Sequence, residues 1–265
     1  MLKIVSYIII LSCIFSSCEK VIDISLNDAE KKYVVEGVIT DAKGGCSVLV
    51  STTKNFADDN SFEGVDNAVV TITDNSNNPV MLTQTSKGVY TSDTLYGISN
   101  TSYTLTVSID GALYASSSVM PTKINMDSLY ITEDNLFGET KKNPNVEYKD
   151  PQGKGNNYRF VLYVNNNKEK DIYIRNDDYS DGNNASIKLR ISNDDNDKQI
   201  KSGDAIRVDM LCISTPVYKY WYSFNAGATG DNNSASPANP VSNISGGVLG
   251  YFSAHTTQTK TITVP

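Results

Sequence analysis

Histidine is almost missing from this chain of 265 residues: there is one, His255, alongside one tryptophan and four cysteines. A tetrahedral zinc site needs three or four nitrogen or sulfur ligands, so one imidazole and scattered thiols exclude it unless carboxylates are recruited. The same scarcity argues against histidine-based nucleophilic catalysis. Ser253 stands two positions from His255 and shares its strand face, yet a triad also needs an orienting carboxylate and an oxyanion hole. No nucleophile elbow occurs either. His255 therefore reads as a strand-end histidine at the surface, and no catalytic residue and no metal ligand is assigned. Basic clusters are also lacking. The 23 lysines and arginines are dispersed among 30 acidic residues, for a net charge of −7, which excludes nucleic acid and charge-driven binding to acidic headgroups. Gly246, Gly247 and Gly250 are not followed by Lys-Ser, so they form no phosphate loop and imply no nucleotide cofactor. Beyond the first fifteen or so residues no run is apolar enough to span a membrane.

That first segment is the most informative one present. Lys3 precedes an apolar run from Ile4 to Phe15, and Ser16-Ser17-Cys18 follows. As a helix the run reaches only ~18 Å, against a hydrocarbon core of ~30 Å, so it reads as a secretory signal rather than a membrane span. Small residues ahead of a cysteine resemble the lipobox of bacterial lipoproteins. The expectation is a signal peptide over 1–17, lipidation at Cys18 and a lipidated tether over 18–31. Several acyl chains on one cysteine hold a protein essentially permanently at a membrane. A secreted soluble protein whose signal happens to contain a cysteine is the alternative.

From Tyr33 onward the texture is β: β-branched and aromatic runs of four to eight residues between Gly, Asn, Asp and Pro. The runs beginning at Tyr33, Ser47, Ala68, Val80, Gly88, Tyr103 and Ala112 predict an immunoglobulin- or fibronectin-like β-sandwich over 32–121. Met120-Pro121 breaks the pattern. Residues 122–265 read as a second β-rich domain, with strands beginning near Ser128, Tyr158, Asp171, Ile187, Asp204, Leu249 and Thr261. One short helix follows Thr215-Pro216, a cap and an N1 proline, with Tyr218, Trp221 and Tyr222 as its buried stripe and Tyr220 facing water. The fold class is all-β.

Several of these stretches resemble the DUF4249 family of Bacteroidetes-type outer-membrane lipoproteins, a domain of unknown function. The likeness runs through Cys18-Glu19-Lys20-Val21-Ile22-Asp23-Ile24, Tyr33-Val34-Val35-Glu36-Gly37, Asn55 to Phe62 ahead of Ala68-Val69-Val70-Thr71-Ile72, and Asp127-Ser128-Leu129. Its most distinctive part is Ala235 to Ala254, which contains Asn239-Pro240-Val241-Ser242-Asn243-Ile244-Ser245-Gly246-Gly247. The resemblance implies an outer-membrane protein held by its N-terminal lipid and found beside TonB-dependent transporters. No catalytic residues come with it. The expected role is a non-enzymatic accessory or ligand-binding partner of such a transporter. A surface hydrolase acting on glycans or peptides, and a structural or adhesion module, remain open alternatives.

Binding residues are sought among the aromatics, because flat rings suit sugars, peptides and protein partners. Tyr220, Trp221, Tyr251 and Phe252 are the candidates, beside the Asn- and Ser-rich loop of Gly227–Ser245. The acidic groups Asp58-Asp59, Asp177-Asp178-Asp181 and Asp194-Asp195-Asp197 offer oxygen ligands of the kind calcium takes, but no bidentate glutamate follows at EF-hand spacing, so they read as turns. Cys46 and Cys212 sit in alternating runs and read as small buried hydrophobes, although a disulfide between them is chemically open. On the buried-thiol reading, denatured and unreduced mature protein titrates with two free thiols; none would establish the disulfide.

Overall fold

Strict alternation of buried and half-exposed residues shapes the first strands: Val35 and Ile39 of Tyr33–Thr40 are fully buried, as are Val48 and Val50 of Cys46–Thr52, while their neighbours point the other way. The computed structural model describes residues 30–54, 61–136, 139–192, 199–228 and 239–265. Apart from Glu30 and Lys54 these all belong to one unit, Lys31–Thr53 with Asn60–Pro265. The signal segment, Cys18 and the tether as far as residue 29 lie outside the described residues, as do Asp58-Asp59 and the Asp194–Asp197 run.

The protein is mostly β. In chain order the strands are β1 (Tyr33–Thr40), β2 (Cys46–Thr52), β3 (Val69–Thr73), β4 (Pro79–Met81), β5 (Thr83–Ser86), β6 (Val89–Ser92), β7 (Ser102–Ile109) and β8 (Ala112–Val119). Then come β9 (Met126–Leu136), β10 (Glu139–Lys149), β11 (Asn157–Val164), β12 (Asn167–Lys168), β13 (Tyr173–Asn176), β14 (Asn184–Lys188) and β15 (Ala205–Ile213). The helix α1 (Thr215–Ala228) and a last strand, β16 (Leu249–Thr263), complete the described elements.

They form three sheets. A nine-stranded sheet runs β12-β11-β15-β16-β1-β2-β6-β5 with β13 also on β11; a four-stranded sheet runs β4-β3-β7-β8 and a three-stranded sheet β14-β10-β9. One face of the large sheet carries two cores side by side. Val35, Val48, Val50 and Phe252 pack with Val70, Ile72, Leu105 and Val107 of the four-stranded sheet. Tyr158, Phe160, Leu162, Val208 and Met210 pack with Val146, Tyr148 and Ile187 of the three-stranded sheet. The opposite face carries a smaller core of Val161, Leu211, Ile213 and Tyr251 beneath Val217 and Tyr220 of α1.

Residue 121, the expected division, separates neither the cores nor the large sheet, because the first core also takes Ile244, Val248, Phe252 and Ala254 from the later part of the chain. Strand β16 joins them. Its first half pairs parallel with β1, from Val34↔Leu249 to Thr40↔His255, and its second half pairs antiparallel with β15, from Cys212↔Thr256 to Ala205↔Thr263. The segments expected separately near Leu249 and Thr261 are one strand. Where β1 stops, Asp41 takes over: its Oδ1 accepts the Thr257 N–H at 2.9 Å, while Oδ2 meets Lys123 Nζ at 2.9 Å. Where β15 does not reach, the Asn243 side chain substitutes for a strand, donating to the Phe252 carbonyl at 2.8 Å and accepting the Phe252 N–H at 2.9 Å.

Strand β10 does not stand out in the sequence. It is polar and contains Pro144, which cannot donate to a ladder. It is tolerated because β14 reaches only as far as Asn145, so the missing donor faces no strand, and the Pro144 carbonyl still accepts the Leu189 N–H at 2.8 Å.

Parallel pairing of β1 with β16 requires a glycine. Gly250 has φ +100°, and a Cβ there would lie 2.0 Å from the Val35 carbonyl oxygen. Gly247 also has positive φ (+81°), but nothing stands within 4 Å of its Cβ position. Gly250→Ala is therefore expected to destabilise the fold by about 3 kcal/mol or more, through clash plus strain, and Gly247→Ala by about 1 kcal/mol through strain alone. Urea denaturation of the two variants checks the difference.

Candidate functional site

Chain chemistry brings α1 onto the free face of the large sheet. Ser214 occupies the cap position and its carbonyl accepts the first helical bond, from Tyr218 N–H at 2.9 Å, one residue ahead of the cap expected at Thr215. Pro216 then lies in the first turn, where no donor is needed. Thr215 Oγ1 accepts from Asn157 Nδ2 at 3.1 Å, which ties the start of the helix to β11.

The buried stripe of α1 differs from the expected one. Val217 is fully buried and Tyr220 nearly so, Trp221 and Tyr218 are half-buried, and Tyr222 is 61% exposed. Positions 217, 220, 221 and 224 share a helix face at the three-four spacing, so Tyr220 faces the sheet and Tyr222 faces water. The reason is the partner surface: Tyr251 of β16 lies beneath the helix, and Tyr220 packs on it with ring centroids 4.7 Å apart.

Three of the four expected aromatics meet. Trp221 stands edge-on to Tyr220 at 5.3 Å and to Tyr251 at 5.2 Å, and Phe224 completes the group at 5.7 Å from Trp221. Phe252 does not join them. Strand alternation points it to the opposite face, where it is fully buried in the first core and offers nothing to a surface ligand.

The centre of the cluster is a residue that aromatic patterning alone passes over. The guanidinium carbon of Arg159, on β11, lies 3.4 Å from the Trp221 ring centroid. A stacked cation of this kind contributes about 1–2 kcal/mol when partly desolvated. Arg159 Nε is buried with no hydrogen-bond partner, and Arg159 forms no ion pair with a described carboxylate. Burial lowers its affinity for its proton; the neighbouring Tyr251, Tyr163, Tyr220 and Glu36 work in the opposite direction. Glu36 sits opposite Tyr251 in the β1–β16 register. Burial raises its carboxyl, and Lys168 and Arg159 pull it back down.

Lys168 reaches the site through a tight hairpin. Asn165 and Asn166 both take positive φ (50° and 67°), the type I′ pattern, and return the chain so that Lys168 faces Tyr163. Desolvation first, and then the charge of Arg159, depress its ammonium. Tyr163 in turn carries Arg207 stacked at 3.7 Å. A cavity of about 300 Å³ opens between Arg159, Lys168, Ile172, Trp221 and Phe224. Larger depressions of about 400 and 540 Å³ lie at Asp127–Glu147 and at Glu133–Arg190, but they lack an aromatic wall of this kind. Mixed apolar and charged lining is what small-molecule sites use.

Ser253 and His255 do share a face, with Ser253 Oγ 2.9 Å from His255 Nδ1. Both are buried, so the surface position expected for His255 is wrong: the strand does not end there but passes from β1 to β15 inside the large sheet. Burial, reinforced by Arg159, lowers the imidazole to about 4. Asp177 and Asp181 anchor turns. Asp177 Oδ2 accepts Gly155 N–H at 2.6 Å and Asn156 N–H at 2.9 Å, and Asp181 Oδ1 accepts Gly153 N–H at 2.6 Å. Cys46 and Cys212 are buried and unpaired, and burial pushes the Cys46 thiol up to about 12.

Because His255 is held neutral when folded, the unfolded chain takes up a proton below its ordinary value of 6.5 that the folded chain refuses until about 4. The associated stability is fully present above pH 6.5 and is lost as pH falls towards 4, an effect on the order of 3 kcal/mol. Glu36, shifted upward, opposes it with the reverse sign. Denaturation midpoints measured from pH 7 to pH 4.5 should therefore fall less steeply for His255→Gln than for the wild type, since Glu36 is common to both.

No curated protein matches the chain at significant similarity. The family described as a domain of unknown function (DUF4249) matches residues 19–261, from just after Cys18 to two residues short of the end of β16. This span takes in α1, β11, most of β16 and every residue of the aromatic–guanidinium cluster, and on that evidence the chain belongs to the DUF4249 family.

Proposed function

We propose that this protein is a lipid-anchored outer-membrane lipoprotein that binds a ligand for, or docks on, a TonB-dependent transporter, without catalysing a reaction itself. The reading rests on the export-type N-terminus that ends at Cys18 and on the residues that resemble envelope lipoproteins. The observation that carries the ligand-binding part is the cavity of about 300 Å³ walled by Trp221 and Phe224 and floored by Arg159. A half-buried guanidinium without an ion-pair partner is costly to keep in a protein that makes no use of it. A fixed cation among flat rings also suits recognition better than hydrolysis, which requires a positioned acid and base. The tether would lift the β framework off the lipid and leave α1 and its cavity free to meet a partner.

Two measurements test the reading. Mass spectrometry of the mature N-terminal peptide is expected to show an acylated Cys18; an unmodified or differently cut terminus removes the anchor. Affinity purification from solubilised outer membranes through a tag beyond Pro265 is expected to recover a transporter barrel. Repeated recovery of the protein alone would remove the partnership.

A further inference from the structure

We propose that the cavity beside Arg159 and Trp221 binds the carboxylate of a small organic acid, seated against the Arg159 guanidinium within reach of Lys168, with the apolar or ring body of the acid against Trp221 and Phe224. The inference rests on the ligand-binding reading above and names the chemistry of its ligand.

Four observations converge on that chemistry. The first is crowding of like charge: Arg159 and Lys168 lie close enough to repel, and the carboxylate they share, Glu36, forms no ion pair with either. An anion between them would relieve that repulsion. The second is geometry. The guanidinium carbon lies over the indole and Arg159 shares a side-chain hydrogen bond with Tyr251, which holds the group in place and leaves further N–H donors whose paired arrangement matches the two oxygens of a carboxylate.

The third observation selects a single charge over a double one. Glu169 and Asp171 line the same cavity with Lys170, and Asp171 is held there by Ser192, whose N–H it accepts. Two carboxylates on the rim tolerate a monoanion paired with Arg159, but they repel the second charge of a phosphate. The fourth is size and wall. About 300 Å³ is at the small end of ligand cavities, and Trp221, Phe224 and Ile172 supply apolar surface that inorganic ions cannot use.

Trp221 is the sole tryptophan of the chain, so its fluorescence reports on Arg159 without labelling. The full-length mature protein is titrated with 3-phenylpropionate and D-glucuronate, with their uncharged counterparts 3-phenylpropionamide and D-glucose, and with inorganic phosphate. A saturable emission change is expected with one or both carboxylates and none with the amide, the neutral sugar or phosphate. Arg159→Gln is expected to weaken the carboxylate by about tenfold or more, the loss of one charge-assisted fork.

Should Arg159→Gln fail to fold, Lys168→Gln on the exposed β12 hairpin keeps the test open, with severalfold weaker binding and a shallower salt dependence expected. Equal response to acid and amide, preference for phosphate, or no response to either carboxylate each overturns the proposal. Carboxylate binding by a protein that recovers no transporter would leave this site standing and remove the partnership; transporter recovery without carboxylate binding would do the reverse.

Discussion

The structure depends on the two-sided pairing of β16. A strand of fifteen residues serves β1 in parallel through its first half and β15 in antiparallel through its second, so the earliest and latest described parts of the chain close on one another. Contacts this distant in sequence must overcome a large loop-closure entropy before they contribute any stability. Each edge of β16 is accordingly continued by a side chain where its partner strand is missing. Asn243 completes the edge that β15 does not reach, and Asp41 extends the edge that β1 abandons. Ser118 Oγ accepts the Ala254 N–H at 3.1 Å between them, so the donors of β16 remain satisfied as its partner strand changes.

That arrangement also creates the face on which α1 lies. A central strand of a sheet has two sides, and from Gly250 to Thr256 both sides of β16 are buried. Phe252 and Ala254 point into the first core, while Tyr251 points under the helix. Among the described residues one helix, α1, packs on that second face, over residues of β11, β15 and β16. Beyond its edge Glu36 and the β11–β12 hairpin are only partly covered, and the cavity beside Arg159 occupies that margin. The candidate site is thus a consequence of incomplete coverage of a sheet, at the point where aromatic surface runs out and charge begins.

Much of this was legible along the chain, and the limits have physical causes. Period-two alternation marked β1, β2, β7 and β15 because each has one face in a core. The helix was legible from Pro216 and its aromatic residues, but not its orientation: with tyrosines or tryptophan at 218, 220, 221 and 222, more than one stripe satisfies a helical period, and only Tyr251 beneath it decides. Strand β10 escaped because its polar residues and Pro144 carry little strand signal, and tertiary pairing with β9 overrides propensity. Tyr220, Trp221 and Tyr251 assembled as aromatic content suggests, whereas Phe252 was lost to strand alternation, a rule that adjacency to Tyr251 alone should have invoked.

Arg159 and Glu36 carried a signal of a different kind. Each is a lone charge inside an apolar run, Tyr158-Arg159-Phe160-Val161-Leu162 and Val34-Val35-Glu36-Gly37-Val38. On a strand with one solvated face such a charge is ordinary, and sequence alone offers no reason to single it out. It becomes informative only when the solvated face proves to be the covered one, since the charge must then find a partner or a ligand. The indole of Trp221 is a partial partner for Arg159, because a ring face stabilises a cation but accepts no N–H in the plane of the guanidinium. Tyr251 shares one side-chain hydrogen bond with Arg159, and the N–H groups that remain are what a carboxylate would engage.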